Sequence, residues 1–160
     1  MDTALINTRA RMKEKGFTLL EMMVGVAILG VLVSIAIPNY LTWNARYEFK
    51  DTARILSSNI MLSRVTAMSQ NTTRTITLSV AGDMTQYNSF TPGLPNIIFP
   101  SDVSINNVLP MTVGFNAFGQ KTTGGAGNQI INIDSASQPN TRYVLTITPA
   151  GKITIVVQNF

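Results

Sequence analysis

The sequence contains no cysteine and no histidine, only one tryptophan, and charged residues at just 12% of its 160 positions. Without cysteine there is no disulfide, no thiolate nucleophile and no zinc–thiolate site. Without histidine, the general base suited to neutral pH and the commonest metal ligand are both missing. Nucleophile–base pairs are then limited to Ser–Lys or carboxylate arrangements, and no motif of either kind is present. The chain reads as a non-enzyme, with no catalytic residue, no cofactor and no metal site expected. The charged fraction is about half the roughly 25% usual for a soluble domain. Twelve Lys and Arg against eight Asp and Glu leave +4, too mild a surplus to mark a dedicated nucleic-acid binder.

What is present is distributed unevenly. Residues 1–16 carry Arg9, Arg11, Lys13 and Lys15 against Asp2 and Glu14. Residues 17–37 hold a single charge, Glu21, and from Met22 to Ile37 the only polar side chain is Ser34. Twenty-one helical residues at about 1.5 Å each reach roughly 31 Å, the thickness of a bilayer's hydrocarbon core. The basic residues ahead of this run keep the N-terminus cytoplasmic by the positive-inside rule, so the C-terminal part is expected outside the cytoplasm. Gly25, Gly30 and Ser34 thin the apolar segment, as membrane helices commonly are. Pro38 lacks a backbone donor and is expected to kink or loosen the helix.

Beyond Pro38 the pattern becomes amphipathic. Leu41, Ala45, Phe49, Ala53, Leu56, Ile60 and Ala67 form one stripe at spacings mostly of three or four, expected to pack on a sheet. Arg46, Glu48, Lys50, Asp51, Arg54 and Arg64 fall between them, on a solvated or subunit-facing side. Ser69-Gln70-Asn71 supplies a stop. From residue 72 onward the period is two, and Thr, Asn and Ser make up 28 of the 89 residues. Strands are expected over 74–80, 85–90, 96–99, 103–108, 111–116, 129–133, 142–148 and 153–158. Gly82-Asp83, Pro92-Gly93, Pro100, Pro110 and the 122–127 loop separate them, and Pro149-Ala150-Gly151-Lys152 turns the last hairpin. Asp83, Asp102 and Asp134 are too scattered for a calcium loop and read as turn residues. The glycines of 124–127 match no phosphate-binding pattern and read as a flexible surface loop.

Glu21 is the residue that does not fit a plain anchor or secretory signal. Inserting a carboxylate into an apolar segment costs on the order of 2.5–3.5 kcal/mol, and an intramembrane acid implies a partner. No Lys or Arg lies in the segment. A cut after Gly16 would place an ammonium on Phe17, four residues before Glu21, and between staggered parallel helices one subunit's carboxylate could meet another's amine. Unpaired, the charge is costly; paired, it fixes axial register.

The string Lys15-Gly16-Phe17-Thr18-Leu19-Leu20-Glu21, followed by the apolar run and Pro38, resembles the prepilin signal of type IV pilins and type II secretion pseudopilins. The resemblance implies that Gly16 stands on the leader side of the prepilin peptidase cut and that Phe17 becomes an N-methylated N-terminus. It also implies that Glu21 recruits the subunit into a filament and that Pro38 occupies a position where many relatives carry proline. Val113-Gly114-Phe115-Asn116-Ala117-Phe118-Gly119 and the final strand–Gly151–strand hairpin look like minor pilins of the GspH/FimT type. The disulfide loop frequent in major pilins is impossible here.

The expected architecture is α+β and pilin-like, a long N-terminal helix packed on a C-terminal antiparallel β-sandwich or sheet head. Its segments are a leader at 1–16, a transmembrane and filament-core helix at 17–37, the amphipathic half of that helix at 38–71 and a β-rich head at 72–160. The expected role is a minor structural subunit of a type II secretion pseudopilus or type IV pilus, at or near the tip. The implied partners are other pilin or pseudopilin subunits, prepilin peptidase, the inner-membrane assembly platform and, before assembly, inner-membrane lipid. The head would face the periplasm. Three alternatives stand beside it. One is a DNA-uptake minor pilin of the FimT kind, in which Lys152 at the last turn keeps one of the two basic residues that such relatives use. The others are a binding module released after cleavage at Ser34-Ile35-Ala36, and a static anchored periplasmic protein.

Overall fold

A computed structural model describes residues 16–88 and 95–160. The basic leader residues up to Lys15 and the Pro92-Gly93 turn lie outside the described residues. The chain divides into two compact units, Met1–Asn39 and Tyr40–Phe160.

Helix α1 runs from Leu19 to Ser69 and is assigned without a break through Pro38, where a kink or loosening had been expected. Thr18 caps its start, its Oγ1 accepting the Glu21 backbone N–H at 3.2 Å. The stop falls where the sequence places it. Asn71 adopts a left-handed φ of 49°, Thr72 N–H donates to the Ala67 carbonyl at 3.0 Å, and Asn71 N–H to Met68. This double closure satisfies two carbonyls that a helix end otherwise leaves open.

Within the second unit the buried face of α1 is Phe49, Ala53, Leu56, Ile60, Ser63 and Ala67, alternating by four and three. The expected stripe therefore begins later than read: Leu41 is exposed and Ala45 half-buried. The cause is where the sheets first reach the helix. Phe49 is met edge-on by Tyr143, with ring centroids 4.8 Å apart, and no buried residue precedes it. Ser63 belongs to the face although its type concealed it; its hydroxyl is buried with no hydrogen-bond partner.

Eight strands follow: β1 (Arg74–Ala81), β2 (Met84–Tyr87), β3 (Ile97–Ile98), β4 (Val103–Ile105), β5 (Met111–Phe115), β6 (Gln129–Ser135), β7 (Thr141–Ile147) and β8 (Ile153–Asn159). They form two antiparallel sheets, ordered β3-β2-β1-β5 and β4-β6-β7-β8. Gly82 at φ 62° and Asp83 close the β1–β2 hairpin, where Ala81 faces Met84. Alternation supplies the core: Ile76 and Leu78, Val113 and Phe115, Ile131 and Ile133, and Leu145 and Ile147 point inward with Tyr87 and the helix face. Helix side chains touch both sheets, Phe49 at Tyr143 and Asn59 Nδ2 donating to the Tyr87 hydroxyl at 2.6 Å. Burial raises the Tyr87 pKa, with the Asn59 hydrogen bond opposing it.

Several expectations are corrected. The strand expected to reach 108 stops at Ile105 because Asn107 replaces the ladder with its side chain. Its Oδ1 accepts from Asn132 N–H at 2.7 Å and its Nδ2 donates to the Ile130 carbonyl at 3.2 Å. Asp134 is a strand residue, not a turn residue, because Arg142 faces it across the β6–β7 ladder. Arg142 Nε and a terminal guanidinium nitrogen donate to its two carboxylate oxygens at 2.6 and 2.7 Å. Asp102 does sit in a turn, where it accepts from the Ser137 N–H and hydroxyl, both at 2.8 Å, and from the Ser135 hydroxyl. The 122–127 loop is tied down: Lys121 Nζ donates to the carbonyls of Thr123 at 2.6 Å and Gly125 at 2.8 Å.

The core makes a paired prediction for thermal unfolding of the purified chain. Leu56→Ala should cost about 2–5 kcal/mol through the cavity it leaves. Ser63→Ala should gain about 1 kcal/mol by removing a buried hydroxyl that bonds nothing. The carboxylates predict the acid limb. The Arg142 hydrogen bonds, ahead of the opposing effect of burial, hold Asp134 below its ordinary pKa. Burial pushes the Asp102 carboxyl up, but the hydrogen bonds from Ser135 and Ser137 together bring it below its ordinary value. Both groups are thus more acidic folded than unfolded. Their stabilisation is complete above the unfolded-state value of about 3.9 and is lost as pH falls through the lower folded values. The unfolding temperature should fall below about pH 4, and Asp134→Asn should flatten that fall.

Candidate assembly site

The first unit is built as an uncovered apolar helix. Every residue from 17 to 39 is exposed, and α1 is long and apolar enough, by length and composition, to cross a membrane. Ser34, the one polar side chain between Met22 and Ile37, donates its hydroxyl to the Val31 carbonyl at 2.7 Å. It therefore needs no partner outside its own helix. A Cβ built on Gly25 or Gly30 would meet nothing within 4 Å. These positions are open for another helix and make no contact of their own.

Gly16 and Phe17 precede the cap in non-helical backbone, and a Cβ on Gly16 would also meet nothing within 4 Å. Glu21 lies in the first turn of α1, at the third helical position, where the helix dipole favours a negative charge. Among the described residues the only ion pair is Arg142 with Asp134, and none of them provides a cation to the Glu21 carboxylate. The structure thus places Gly16, Phe17 and Glu21 together at one helix start, with Pro38 at the other end of the apolar stretch. Lys152 stands apart on the exposed tip of the β7–β8 hairpin.

The head's recognisable string and its last hairpin meet in a way that neither pattern disclosed. Asn116 Oδ1 accepts from Phe118 N–H at 3.0 Å and Gln120 N–H at 2.9 Å, folding a tight turn that puts Gly119 at φ 72°. Arg64 of α1 donates from Nε to the Gly119 carbonyl at 2.8 Å and from a terminal nitrogen to Ala150 at 3.4 Å. Gly151, at φ 78°, lies so close that a Cβ there would run into the Gly119 carbonyl oxygen. Arg64 is therefore not a solvated charge but a clasp between the helix and two turns. Its signal was angular: at three residues from Ala67 and four from Ile60, it borders the buried face.

Cations in the head are largely committed. Arg74 donates to the Gln70 side chain, Lys121 to loop carbonyls and Arg142 to Asp134, while Arg142 also lies 5.4 Å from the Phe160 ring centroid. Of the four basic residues after residue 72, Lys152 is exposed at its hairpin tip, with no acceptor for its ammonium among the described residues.

Residues 11–37 match the family model described as the prokaryotic N-terminal methylation motif. The type IV major pilin protein PilA of Myxococcus xanthus is 49% identical over 39 residues, 24% of this chain and 18% of that protein. The type IV major fimbrial protein FimA of Dichelobacter nodosus is 48% identical over 44 residues, 28% of this chain and 26% of that one. The matched stretches thus span about a quarter or less of those curated relatives. The head finds its likeness in structure: the type IV minor pilin FimU of Pseudomonas aeruginosa superposes with a TM-score of 0.53 at 18% identity, over 71% of this chain and 92% of that one. The N-terminal segment of the chain is similar to that of type IV pilins, and the chain shares the fold of a minor pilin. Its likeness to FimU is one of fold, and the likeness to the major pilins is confined to the N-terminal motif and helix.

The glycine junction of this pilin-like head predicts an ordered pair of substitutions. Gly151→Ala should lower stability by at least about 2 kcal/mol, because left-handed backbone strain adds to a clash with Gly119. Gly82→Ala, at a similar φ but in open space, should cost only about 1 kcal/mol. Chemical denaturation of the two variants checks the order.

Proposed function

We propose that the chain is a minor structural subunit of a type IV pilus or type II secretion pseudopilus, processed after Gly16 and assembled through its N-terminal helix at or near the filament tip. The observation that carries this reading is the methylation motif, set at the start of an apolar helix that the chain's own residues leave uncovered. The segments follow from it: residues 1–16 are the leader, 17–37 the membrane and filament-core helix, 38–71 its amphipathic half and 72–160 the head. Prepilin peptidase removes the leader and N-methylates Phe17. The subunit waits in the inner membrane with its head in the periplasm, then passes through the assembly platform into the filament. There Glu21 meets the Phe17 amine of a neighbouring subunit. The minor rather than major role is supported by the absence of cysteine and by a head fold shared with a minor pilin. Among the described residues of the β-rich head the DNA-uptake alternative has only Lys152 to offer, and one available cation there gives phosphates little attraction.

The N-terminal mass of the mature chain tests the processing step. A species beginning at methylated Phe17 is expected; a species beginning at Ile37, or an intact leader, would refute the reading. Glu21→Ala should be inserted and processed normally but enter filaments about tenfold less, since losing one paired charge of about 1.4 kcal/mol changes an equilibrium by that factor. Incorporation at the wild-type level would remove the charge-pairing role.

A further inference from the structure

Just beyond the apolar segment, α1 carries three aromatic residues that nothing in the head covers. Tyr40, Trp43 and Tyr47 are 63%, 59% and 57% exposed. Their rings run in series: the Tyr40 and Trp43 centroids lie 6.3 Å apart, and Trp43 and Tyr47 stack at 5.8 Å with planes 23° apart. Spacings of three and four keep them on one face. The buried face of the helix, from Phe49 and Ala53 onward, lies on its other side. The aromatic face continues into Lys50 and Arg54, both exposed. The acids nearby are less available: Asp51 is half-buried, and Asn44 Nδ2 donates to Glu48 at 2.8 Å.

This order of chemistry along the chain is an apolar run, then aromatic rings, then cations. It matches the order met on leaving a bilayer through hydrocarbon, headgroup layer and phosphates. Tyr and Trp suit the middle zone because each has an apolar body and a polar tip. Tyr40 and Trp43 follow Ile37 by three and six residues, a helical rise of about 5 and 9 Å, and Tyr47, Lys50 and Arg54 stand about 15, 20 and 26 Å beyond it. The polar zone of each leaflet is about 5–8 Å deep.

We propose that Tyr40 and Trp43 form an anchor in the headgroup layer of a phospholipid bilayer, with Tyr47, Lys50 and Arg54 following on the same face just outside it, where at low salt the two cations favour anionic lipid. The anchor sets the depth at which the chain waits in the membrane before assembly. It rests on the reading of residues 17–37 as a membrane span.

Trp43 is the only tryptophan, so its fluorescence reports this site without labelling. The full chain is reconstituted at low salt into vesicles of phosphatidylcholine alone or mixed with phosphatidylglycerol, and flotation first establishes insertion. Phospholipids brominated near the glycerol end of their acyl chains should then quench Trp43 about twofold or more strongly than those brominated near the bilayer centre. Phosphatidylglycerol should increase protection from acrylamide, and the Lys50→Glu/Arg54→Glu variant should lose that increase. A chain that floats with the vesicles but shows no shallow-over-deep preference overturns the anchor alone. A chain whose charge-reversed variant keeps the phosphatidylglycerol effect overturns the anionic-lipid preference. A chain that does not float overturns the membrane-span reading, and the anchor falls with it.

Discussion

An apolar helix with no protein cover cannot stay in water, and that constraint governs the first unit. The large side chains from Phe17 to Ile37 are all exposed within the monomer. Even ten of them at about 1.5 kcal/mol each amount to on the order of 15 kcal/mol of unrealised burial. That equals the whole stability of a typical domain, about 5–15 kcal/mol. The described residues provide no such cover, and two environments would supply it: lipid, or other apolar helices. Ser34 satisfying itself on Val31 and the bare surfaces of Gly25 and Gly30 suit both, since neither demands a particular polar neighbour.

The second unit meets the opposite requirement, that one helix face be fully covered by its own chain. Small residues make that contact close. Ala53, Ser63 and Ala67 alternate with Phe49, Leu56 and Ile60, so the helix presents shallow and deep positions to the inward side chains of both sheets. Where the helix face ends, Arg64 takes over from hydrophobic packing and holds the Gly119 and Ala150 turns by their carbonyls. Gly119 and Gly151 both have left-handed backbone, and a Cβ would in addition run into the Met68 side chain at Gly119 and into the Gly119 carbonyl at Gly151.

What was legible in the sequence follows the same physics. Periodicity exposes residues whose type and position agree, so the helix end at Ser69 and all eight strands were readable from their patterns, to within a few residues at each end. It fails where a polar side chain does a backbone's or a core residue's task. Asn107 mimics a strand, Ser63 sits in a hydrophobic face and Asp134 stands in a ladder opposite Arg142. Lys121 was hidden for a related reason: a lysine beside a glycine-rich stretch looks like a soluble loop until its ammonium is seen gathering the loop's carbonyls. The methylation motif over residues 11–37 was legible because it is written in order along the chain, and the roles of Gly16, Phe17 and Glu21 within it belong to the proposal. The Arg64 clasp was not legible, because it joins residues 55 and 86 positions apart.

Glu21 also has a local use, and magnitudes decide whether that use suffices. Thr18 at the cap and Glu21 three residues on form the Thr-x-x-Glu pattern of helix starts, and Thr18 does accept the Glu21 N–H. A carboxylate in the first turn gains typically about 0.3–1 kcal/mol from the helix dipole. Carrying it within an apolar segment costs on the order of 2.5–3.5 kcal/mol. Capping therefore recovers less than half of the cost, and a residue such as Ser or Asn in the first turn would cap without incurring it. The uncompensated remainder, roughly 1.5–3 kcal/mol by difference, is a standing drive toward a cation that the described residues do not provide. Under the proposed cleavage after Gly16, the N-terminal amine of a neighbouring subunit would supply that cation, and the cost borne by one chain would become an attraction between two.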